Sequence, residues 1–126
     1  MKNQIILDEF GERHGPYALG VTAGEFVFTN QIGTDKEGKV VPGGIKAQTK
    51  RIMEKAKAVL ESAGSDMNHV AKVTIYITDT SLIPEMNEVY KEYFTDGYPV
   101  RCCTKCAGLA GEYCVEMEFT AIKIAV

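Results

Sequence analysis

The stretch VAKVTIYIT at residues 70–78 decides the fold class, because β-branched residues dominate it and apolar residues occupy alternate positions. Side chains alternate between the two faces of a strand, so the pattern predicts a strand with one buried face and one more polar face. The buried face is predicted to carry Ala71, Val73, Ile75 and Ile77. Such a strand needs neighbouring strands and a covering layer, and the flanking sequence provides candidates for both.

A helix is predicted on each side of this strand. Upstream, apolar residues recur every three or four positions from Ile45 to Ala63, and Gly64 follows at the point where helices commonly end. Downstream, Pro84 marks the first turn of a second helix, whose apolar stripe continues to Phe94. Two helices of this kind can cover one face of a small sheet.

Four more segments are predicted to be strands, namely a short one after Tyr17 and those at 26–32, 100–106 and 113–124. The element order is therefore β-β-α-β-α-β-β. This order predicts an α+β fold with a mostly antiparallel sheet and two helices on one face. Residues 1–126 show no repeat and no linker-like change of composition, so the chain is interpreted as a single domain.

Composition and charge argue against several classes of protein. The 126 residues carry 14 basic and 17 acidic side chains, a net charge of −3, whereas proteins that bind nucleic acid through its phosphates usually carry a basic surplus. The sequence has no apolar run of the roughly 18 to 20 residues that cross a bilayer, and its start lacks the apolar core of a signal peptide. We therefore expect a cytoplasmic protein that binds neither membranes nor nucleic acid.

The four cysteines and two histidines do not predict a metal site. Cys103 and Cys106 are three positions apart on a predicted strand, so their sulfurs point to opposite faces and cannot bind one zinc ion without a local turn. Cys114 stands alone, and His14 and His69 are far apart in the chain. We expect no metal ion, and we expect the cysteines to remain thiols in a reducing cytoplasm.

The sheet face that the helices leave uncovered is predicted to be mixed in character. It includes Lys72, Thr74 and Tyr76, together with Glu116 and Glu118 from the last strand. This face is too polar for a monomer core and too rich in aromatic and thiol groups to be purely solvated. We therefore expect a homo-oligomer that buries it and that forms a site between its subunits.

Arg101 is the first candidate functional residue, because it lies at the start of a strand directly after Pro99. In an alternating strand, Arg101, Cys103 and Lys105 share one face. A guanidinium is a rigid fork that binds a carboxylate through two parallel hydrogen bonds, so Arg101 is suited to anchor a small acid. The alternative, an ordinary surface arginine, stays open at this point.

Glu116 is the second candidate, on the strongly apolar strand CVEMEFTAI at residues 114–122. A carboxylate among apolar groups can act as a general base or hold an attacking water. The alternative is that Glu116 and Glu118 form the solvated face of a half-buried strand. Tyr17 and Asn87 are weaker candidates, since a tyrosine at a strand entry commonly packs and an asparagine beside a helix stripe commonly caps or bridges.

Short motifs spread along the chain match those of one protein family in order and separation. They are GPY (15–17), VFTNQI (27–32), GGIKAQT (43–49), VLESAGS (59–65), VTIYITD (73–79), MNEVY (86–90), YPVRCC (98–103) and VEMEFTAI (115–122). Each motif is weak alone. Together they resemble the RidA (YjgF-type) family of reactive enamine and imine intermediate deaminases over nearly the whole chain.

The resemblance implies a chorismate-mutase-like α+β subunit that assembles as a homotrimer with clefts between its subunits. Deaminases of this family hydrolyse 2-imino acids, such as 2-iminopropanoate and 2-iminobutanoate, to 2-oxo acids and ammonia. They do so without a metal ion or an organic cofactor. The implied partners are further copies of the chain and a small 2-imino or 2-oxo acid.

The resemblance also implies roles for particular residues. In the family, an arginine at the position of Arg101 binds the substrate carboxylate, and a glutamate at the position of Glu116 positions and activates water. The residue at Cys103 contributes a backbone amide to the carboxylate, so Arg101, Cys103 and Glu116 are the implied catalytic residues. A tyrosine at the position of Tyr17 lines the cleft, and an asparagine at that of Asn87 lies beside the pocket.

One departure from the family pattern bears directly on the site. Asn30 stands where the family usually has a glycine, whose missing side chain lets the backbone approach the substrate. We expect the Asn30 side chain to contact the substrate and to narrow the pocket or alter its selectivity. In addition, Ala18-Leu19 replaces the usual Ser-Gln, and Gly108-Leu109-Ala110 replaces the usual Arg-Leu-Pro.

Three functions are compatible with these features. The leading one is cofactor-free hydrolytic deamination of 2-imino acids, with Arg101 anchoring the carboxylate and Glu116 activating water. The second is a non-catalytic trimer that binds small carboxylates for regulation, which Asn30 favours. The third is a ribonuclease or translation inhibitor, and it fits the acidic charge and the lack of a histidine pair least well.

Overall fold

The computed structural model describes residues 1–125, which form one six-stranded sheet and two α-helices. Within these residues, neither helix has both the length and the apolar character needed to cross a membrane. The elements are β1 (Lys2–Ile5), β2 (Gly20–Ala23), β3 (Phe26–Ile32), α1 (Gly44–Ser62), β4 (Val70–Ile77), α2 (Ile83–Tyr90), β5 (Val100–Lys105) and β6 (Val115–Ile122).

The strands lie side by side in the order β1-β2-β3-β6-β4-β5. Neighbouring strands are antiparallel except β4 and β5, which are parallel because α2 carries the chain back between them. The last strand, β6, therefore lies in the middle of the sheet. The predicted α+β class with a mostly antiparallel sheet is confirmed.

The first strand, β1, was absent from the predicted order, which is corrected to β-β-β-α-β-α-β-β. Its first three residues are exposed and only Ile5 is half-buried, so it lacks the alternation that identifies a strand with one buried face. Pairing with β2 holds it in place, from Lys2 opposite Ala23 to Ile5 opposite Gly20. Short, polar strands of this kind are common at sheet edges.

Helices α1 and α2 pack on one face of the sheet, which we call the helix-covered face. Ile52 and Ala56 of α1 and Met86 of α2 are fully buried there, as are Met117 and Phe119 of β6. Burial of each large apolar side chain contributes roughly 1.5 to 3 kcal/mol. This layer is the hydrophobic core that the helical and strand periodicities predicted.

The predicted inward face of β4 is correct except at its first member. Val73, Ile75 and Ile77 are fully buried, but Ala71 is exposed and Val70 is buried instead. The pairing register with β6 shifts between Val70 and Lys72, so one extra residue interrupts the alternation. The shift moves Ala71 out of the core.

Several element ends also differ from the prediction. Gly64 follows α1 with a φ of +81°, as predicted, but α2 ends at Tyr90 because the chain tightens into a 3₁₀ turn at Lys91–Tyr93 before Phe94. The last two strands, β5 and β6, are shorter than predicted, because each ends where the strand beside it ends. The final residue of β4 pairs with the start of β6 and the end of β5, and the first residue of β3 pairs with Ile122.

The opposite face of the sheet, which we call the open face, has no covering layer within residues 1–125. Phe26, Phe28 and Ile122 lie on it with 49%, 41% and 42% of their surface exposed. Glu116 and Glu118 alternate with the buried residues of β6 and lie on the same face. The prediction of a mixed face is confirmed, and its burial in a homo-oligomer stays a prediction.

Candidate functional site

Arg101 lies on the helix-covered side of the edge strand β5, where it pairs with the buried Val73. Its Nη1 donates a hydrogen bond of 2.7 Å to Oδ1 of Asn87 on α2. Its guanidinium carbon also lies 5.0 Å from the centre of the Tyr90 ring, a distance at which a cation and an aromatic face attract. Two contacts from one helix therefore orient the guanidinium.

The ring of Tyr90 lies under this guanidinium. Burial raises the pKa of its hydroxyl to about 12, although the charge of Arg101 acts in the opposite direction, so the hydroxyl stays protonated at neutral pH. The hydroxyl oxygen is buried and has no hydrogen-bond partner among residues 1–125. Asn87 and Tyr90 are three positions apart on α2, which puts both on the side of the helix that meets Arg101.

An open pocket of about 360 Å³ lies beside Arg101, between α2 and the start of β5. Its size suits a small organic acid, since ligand pockets commonly measure roughly 300 to 1,000 Å³. Aromatic rings and a proline form apolar walls, and three side chains provide polar groups. The lining residues are Asn87, Tyr90, Lys91, Tyr98, Pro99 and Arg101.

Cys103 lies two residues from Arg101 on the same face of β5, as predicted, and packs against the core. Burial raises the pKa of its thiol, and the nearby charge of Arg101 opposes that shift only in part. The thiol is therefore neutral at physiological pH. Among residues 1–125, no group of three or more histidine, cysteine, aspartate or glutamate side chains is arranged to bind a metal ion.

Glu116 lies on the open face at the centre of the sheet, half-buried between β3 and β4. Its Oε2 accepts a hydrogen bond of 2.7 Å from Nδ2 of Asn30 on β3. Two residues further along β6, Glu118 accepts a hydrogen bond of 2.9 Å from the hydroxyl of Tyr76. The open face thus presents two carboxylates, each held by a different donor.

Two tyrosines from loops complete this region. Burial raises the pKa of the Tyr113 hydroxyl, and electrostatic interactions with Glu116 and then Tyr17 raise it further, so Tyr113 lies within electrostatic range of both residues. Tyr17 itself is 56% exposed. The open-face group therefore consists of Asn30 and Glu116 in contact, with Tyr113, which was not predicted, and Tyr17 at longer range.

The two groups lie on opposite faces of one sheet. Arg101 pairs with Val73, and Val73 pairs with Phe119, whose side chain is buried in the core. Glu116 is three positions from Phe119 on β6 and so points to the other face. One chain consequently carries a helix-side half-site (Asn87, Tyr90, Arg101, Cys103) and an open-face half-site (Asn30, Glu116), and it does not bring them together.

Tyr90 and Tyr113 are the neighbours that the sequence prediction missed. Tyr90 was assigned to the apolar stripe of the second helix, and its burial confirms that assignment, but the ring also supports Arg101. Its spacing of three from Asn87 was the available signal. Tyr113 precedes β6 in a glycine-rich segment, where sequence offers no signal for its approach to Glu116.

These features define a class of small α+β subunits whose polar site is divided between two faces of a sheet. The family model described as "Endoribonuclease L-PSP" matches residues 11–123. A RutC family protein of Pyrococcus abyssi is 41% identical over 126 residues, covering 98% of this chain and 99% of that protein. The 2-iminobutanoate/2-iminopropanoate deaminase of Mus musculus is 32% identical over 111 residues, covering 86% of this chain and 82% of that protein.

A solved structure agrees with these relatives. The crystal structure of Escherichia coli TdcF with bound serine has a TM-score of 0.89 and 30% sequence identity, covering 97% of this chain and 99% of that one. The chain belongs to the endoribonuclease L-PSP family, which is the YjgF/RidA family, and the resemblance drawn from its motifs is confirmed.

Proposed function

We propose that the protein is a cofactor-free deaminase that hydrolyses 2-imino acids to 2-oxo acids and ammonia, at a site formed between neighbouring copies of the chain. The observation that carries this proposal is the guanidinium of Arg101, which Asn87 and Tyr90 orient beside a small pocket. The name of the mouse relative, a 2-iminobutanoate/2-iminopropanoate deaminase, supports the same reaction.

The helix-side half-site would bind the substrate carboxylate. A guanidinium has five N–H donors, and the contact with Asn87 uses one of them. The remaining donors are sufficient for the parallel pair of hydrogen bonds that a carboxylate accepts. Cys103, next on the same face, would add its backbone amide. The short side chain of 2-iminopropanoate or 2-iminobutanoate would lie against the apolar walls formed by Tyr98 and Pro99.

The open-face half-site would activate water. Glu116 accepts a proton from water as the water oxygen bonds to C2 of the protonated imine, and the C=N double bond becomes a single bond whose electron pair remains on nitrogen. The protonated carboxyl then returns its proton to that nitrogen. The C–N bond breaks as the hydroxyl becomes a carbonyl, and the hydroxyl proton leaves with ammonia as ammonium. One 2-imino acid and one water give one 2-oxo acid and one ammonium ion.

Both half-sites can serve one substrate only if they come from different copies of the chain, because they lie on opposite faces of the same sheet. The open face carries partly exposed phenylalanine and isoleucine side chains beside the carboxylates. Covering these apolar groups favours association. A homotrimer, as the family resemblance implies, would bring the open face of one copy to the Arg101 pocket of the next.

The test generates 2-iminopropanoate in place with an amino-acid oxidase and follows its loss against a semicarbazide trap. We expect the protein to accelerate hydrolysis to pyruvate and to reduce the amount of trapped imine. The mass of the same sample, measured by sedimentation, shows whether it is an oligomer. No acceleration over buffer by a folded oligomer would refute the proposed reaction.

A second function is favoured by one observation, the hydrogen bond that already occupies Oε2 of Glu116. A carboxylate held in this way could leave a bound acid unreacted, and the protein would then sense small carboxylates without turning them over. Calorimetry with 2-oxobutanoate distinguishes the two functions. Binding of the oxo acid together with no hydrolysis of the matching imine would select the sensor.

The family model's description suggests a third function, cleavage of RNA. The net charge of −3 and the two carboxylates on the open face disfavour contacts with phosphates. We expect weak RNA binding without a steep dependence on salt concentration. Tight binding that falls steeply with salt would favour the nuclease.

A further inference from the structure

We propose that Asn30 is a positioning residue for Glu116, whose side-chain amide holds one carboxylate oxygen and directs the other towards the reacting water. This inference rests on the proposed function and deepens it. It also revises the expectation that Asn30 contacts the substrate directly, because the amide is already engaged by the carboxylate.

The geometry of the sheet shows that this contact is selective. Asn30 lies directly opposite Glu118, whereas Glu116 lies opposite Ile32. The Asn30 amide nevertheless donates to the diagonal carboxylate, with 2.7 Å between Nδ2 and Oε2 of Glu116. The directly opposite carboxylate is bound by the hydroxyl of Tyr76. Each donor therefore serves one carboxylate, and Asn30 serves the one assigned to water activation.

The chemistry of an amide suits this role. An amide N–H does not ionise in the pH range of proteins, so the hydrogen bond persists whenever Glu116 is charged. A donor to a carboxylate stabilises the charged form and restricts its rotation. With Oε2 occupied, the remaining oxygen, Oε1, is the one that can accept the proton of water.

A comparison of Asn30 variants with wild type must leave the other ionisable groups near Glu116 unchanged. They are Tyr76 on β4, Glu118 on β6 and Tyr113 in the loop before β6, together with Tyr17 and Cys102, which act on Tyr113 and Tyr76. The β3 residues beside Glu116, Asn30 and Ile32, are uncharged. The hydrogen bond with Glu118 raises the pKa of Tyr76, burial raises that of Tyr113, and the charge of Glu116 adds to both shifts. Both tyrosines therefore stay neutral at neutral pH.

The experiment compares Asn30→Ala and Asn30→Asp with wild type. Asn30→Ala removes the donor, and Asn30→Asp replaces it with a carboxylate of the same shape. The matched control is Asn3→Asp, which makes the same change at an exposed position of β1, two strands away from β3. For each protein, carbon-13 NMR gives the chemical shift of the Glu116 carboxyl, assigned with Glu116→Gln, and kinetics give kcat and KM.

We expect Asn30→Ala to change the chemical shift of the Glu116 carboxyl, because the hydrogen bond to one of its oxygens is lost. Asn30→Asp should change it as well, since a carboxylate then stands where the donor was. In both variants kcat at its plateau should fall about tenfold while KM stays within about twofold. Asn3→Asp should change none of these values.

The two readouts separate this inference from the proposed function. A changed Glu116 carboxyl signal in Asn30→Ala, together with a wild type that has no deaminase activity, would support the Asn30 contact and refute the deaminase. An active wild type whose Glu116 signal is the same as in Asn30→Ala and Asn30→Asp would refute the positioning role. A change confined to KM, with kcat and the carboxyl signal unchanged, would likewise overturn it and restore direct contact with the substrate.

Discussion

The two faces of the sheet differ in what surrounds a charged side chain. On the helix-covered face, Arg101 is held by a side chain and a ring from α2, and the interior beyond it is packed. On the open face, Glu116 is held by one cross-strand amide, beside aromatic and aliphatic groups that remain partly exposed. Within residues 1–125, helices cover one face and no layer covers the other.

This difference divides the candidate site into two parts of unequal organisation. The helix-side half-site is pre-organised, because its guanidinium has little freedom before a ligand arrives. The open face has a pocket of about 250 Å³ beside Asn30 and Glu118, but no basic side chain lines it, so it is not suited to a carboxylate. The proposed function requires the open face of one copy to meet the helix-covered face of another.

The largest effect is expected from disrupting the open face. Phe28→Glu places a charge beside Phe26, whose ring centre lies 6.0 Å away, in the surface proposed to be covered by a neighbour. We expect sedimentation to show monomers and deaminase activity to fall at least about 100-fold, because burying an unpaired carboxylate costs several kcal/mol. Circular dichroism checks that the subunit stays folded.

Ile6→Glu is the matched control for that change, because Ile6 is an apolar residue with 73% exposure just beyond the end of the edge strand β1. We expect it to leave the mass and the activity of the protein unaltered. An active, folded monomer of Phe28→Glu would show that the open face does not need a neighbour.

The next largest effects are expected from one variant in each half-site, which should change different kinetic constants. Arg101→Ala should raise KM at least about tenfold through loss of a charge-assisted contact, and Glu116→Gln should lower kcat at least about tenfold through loss of the base. Glu118→Gln is the control for the second variant, since it removes a neighbouring carboxyl group that Tyr76 holds. Wild-type kinetics in Arg101→Ala or Glu116→Gln would remove that residue from the site.

Mixing those two variants tests whether the halves come from different copies. If each cleft takes Arg101 from one chain and Glu116 from its neighbour, co-expression in equal amounts restores about one quarter of the clefts. Rates above both parents in the purified hetero-oligomer are therefore expected. If both residues served from the same chain, every cleft would lack one of them and activity would not return.

A smaller effect is expected when the hydrogen bond that orients the Arg101 guanidinium is removed. Asn87→Ala removes the 2.7 Å hydrogen bond to Arg101 but leaves the Tyr90 ring in place. We expect KM for the imine to rise about fivefold with little change in kcat, as for loss of one hydrogen bond of about 1 kcal/mol. Partial recovery in Asn87→Asp, which can still accept from the guanidinium, would attribute the effect to orientation.

The smallest effect concerns stability on the helix-covered face. Burial lowers the pKa of Lys55 from 10.5 to about 8, and its Nζ donates to the Ile32 carbonyl and to Thr34. Between pH 8 and 10.5 the unfolded chain binds more protons than the folded one, so the free energy of unfolding rises with pH.

We expect a rise of about 1 to 2 kcal/mol from pH 7 to 9.5, measured by denaturant unfolding at constant ionic strength. Cysteine and tyrosine side chains also ionise in part below pH 9.5, so the contribution of Lys55 is measured as the difference between wild type and Lys55→Met. Lys55→Met should lose this rise, so the difference between the two proteins isolates Lys55. An equal pH dependence of the free energy of unfolding in wild type and Lys55→Met would contradict the lowered pKa of Lys55.

The local pattern of apolar and polar residues in the sequence was sufficient to predict much of the fold. Alternation identified the buried faces of β4 and β6, helical spacing identified α1 and α2, and Gly64 marked a helix end. The misses have physical causes. β1 exposes three of its four residues and so carries no alternation, and the bulge at Val70–Lys72 arises from pairing with β6 rather than from any local residue.

By itself, the sequence determined the fold class, the family and which side chains share a face within each strand, because periodicity within a strand is local. Only the tertiary structure decided how those faces relate, since strand order and register depend on pairings between distant segments. Asn30 and Glu116 are 86 positions apart, and their contact exists because β6 inserts between β3 and β4. The same insertion places Glu116 on the face opposite Arg101, which periodicity within either strand could not reveal.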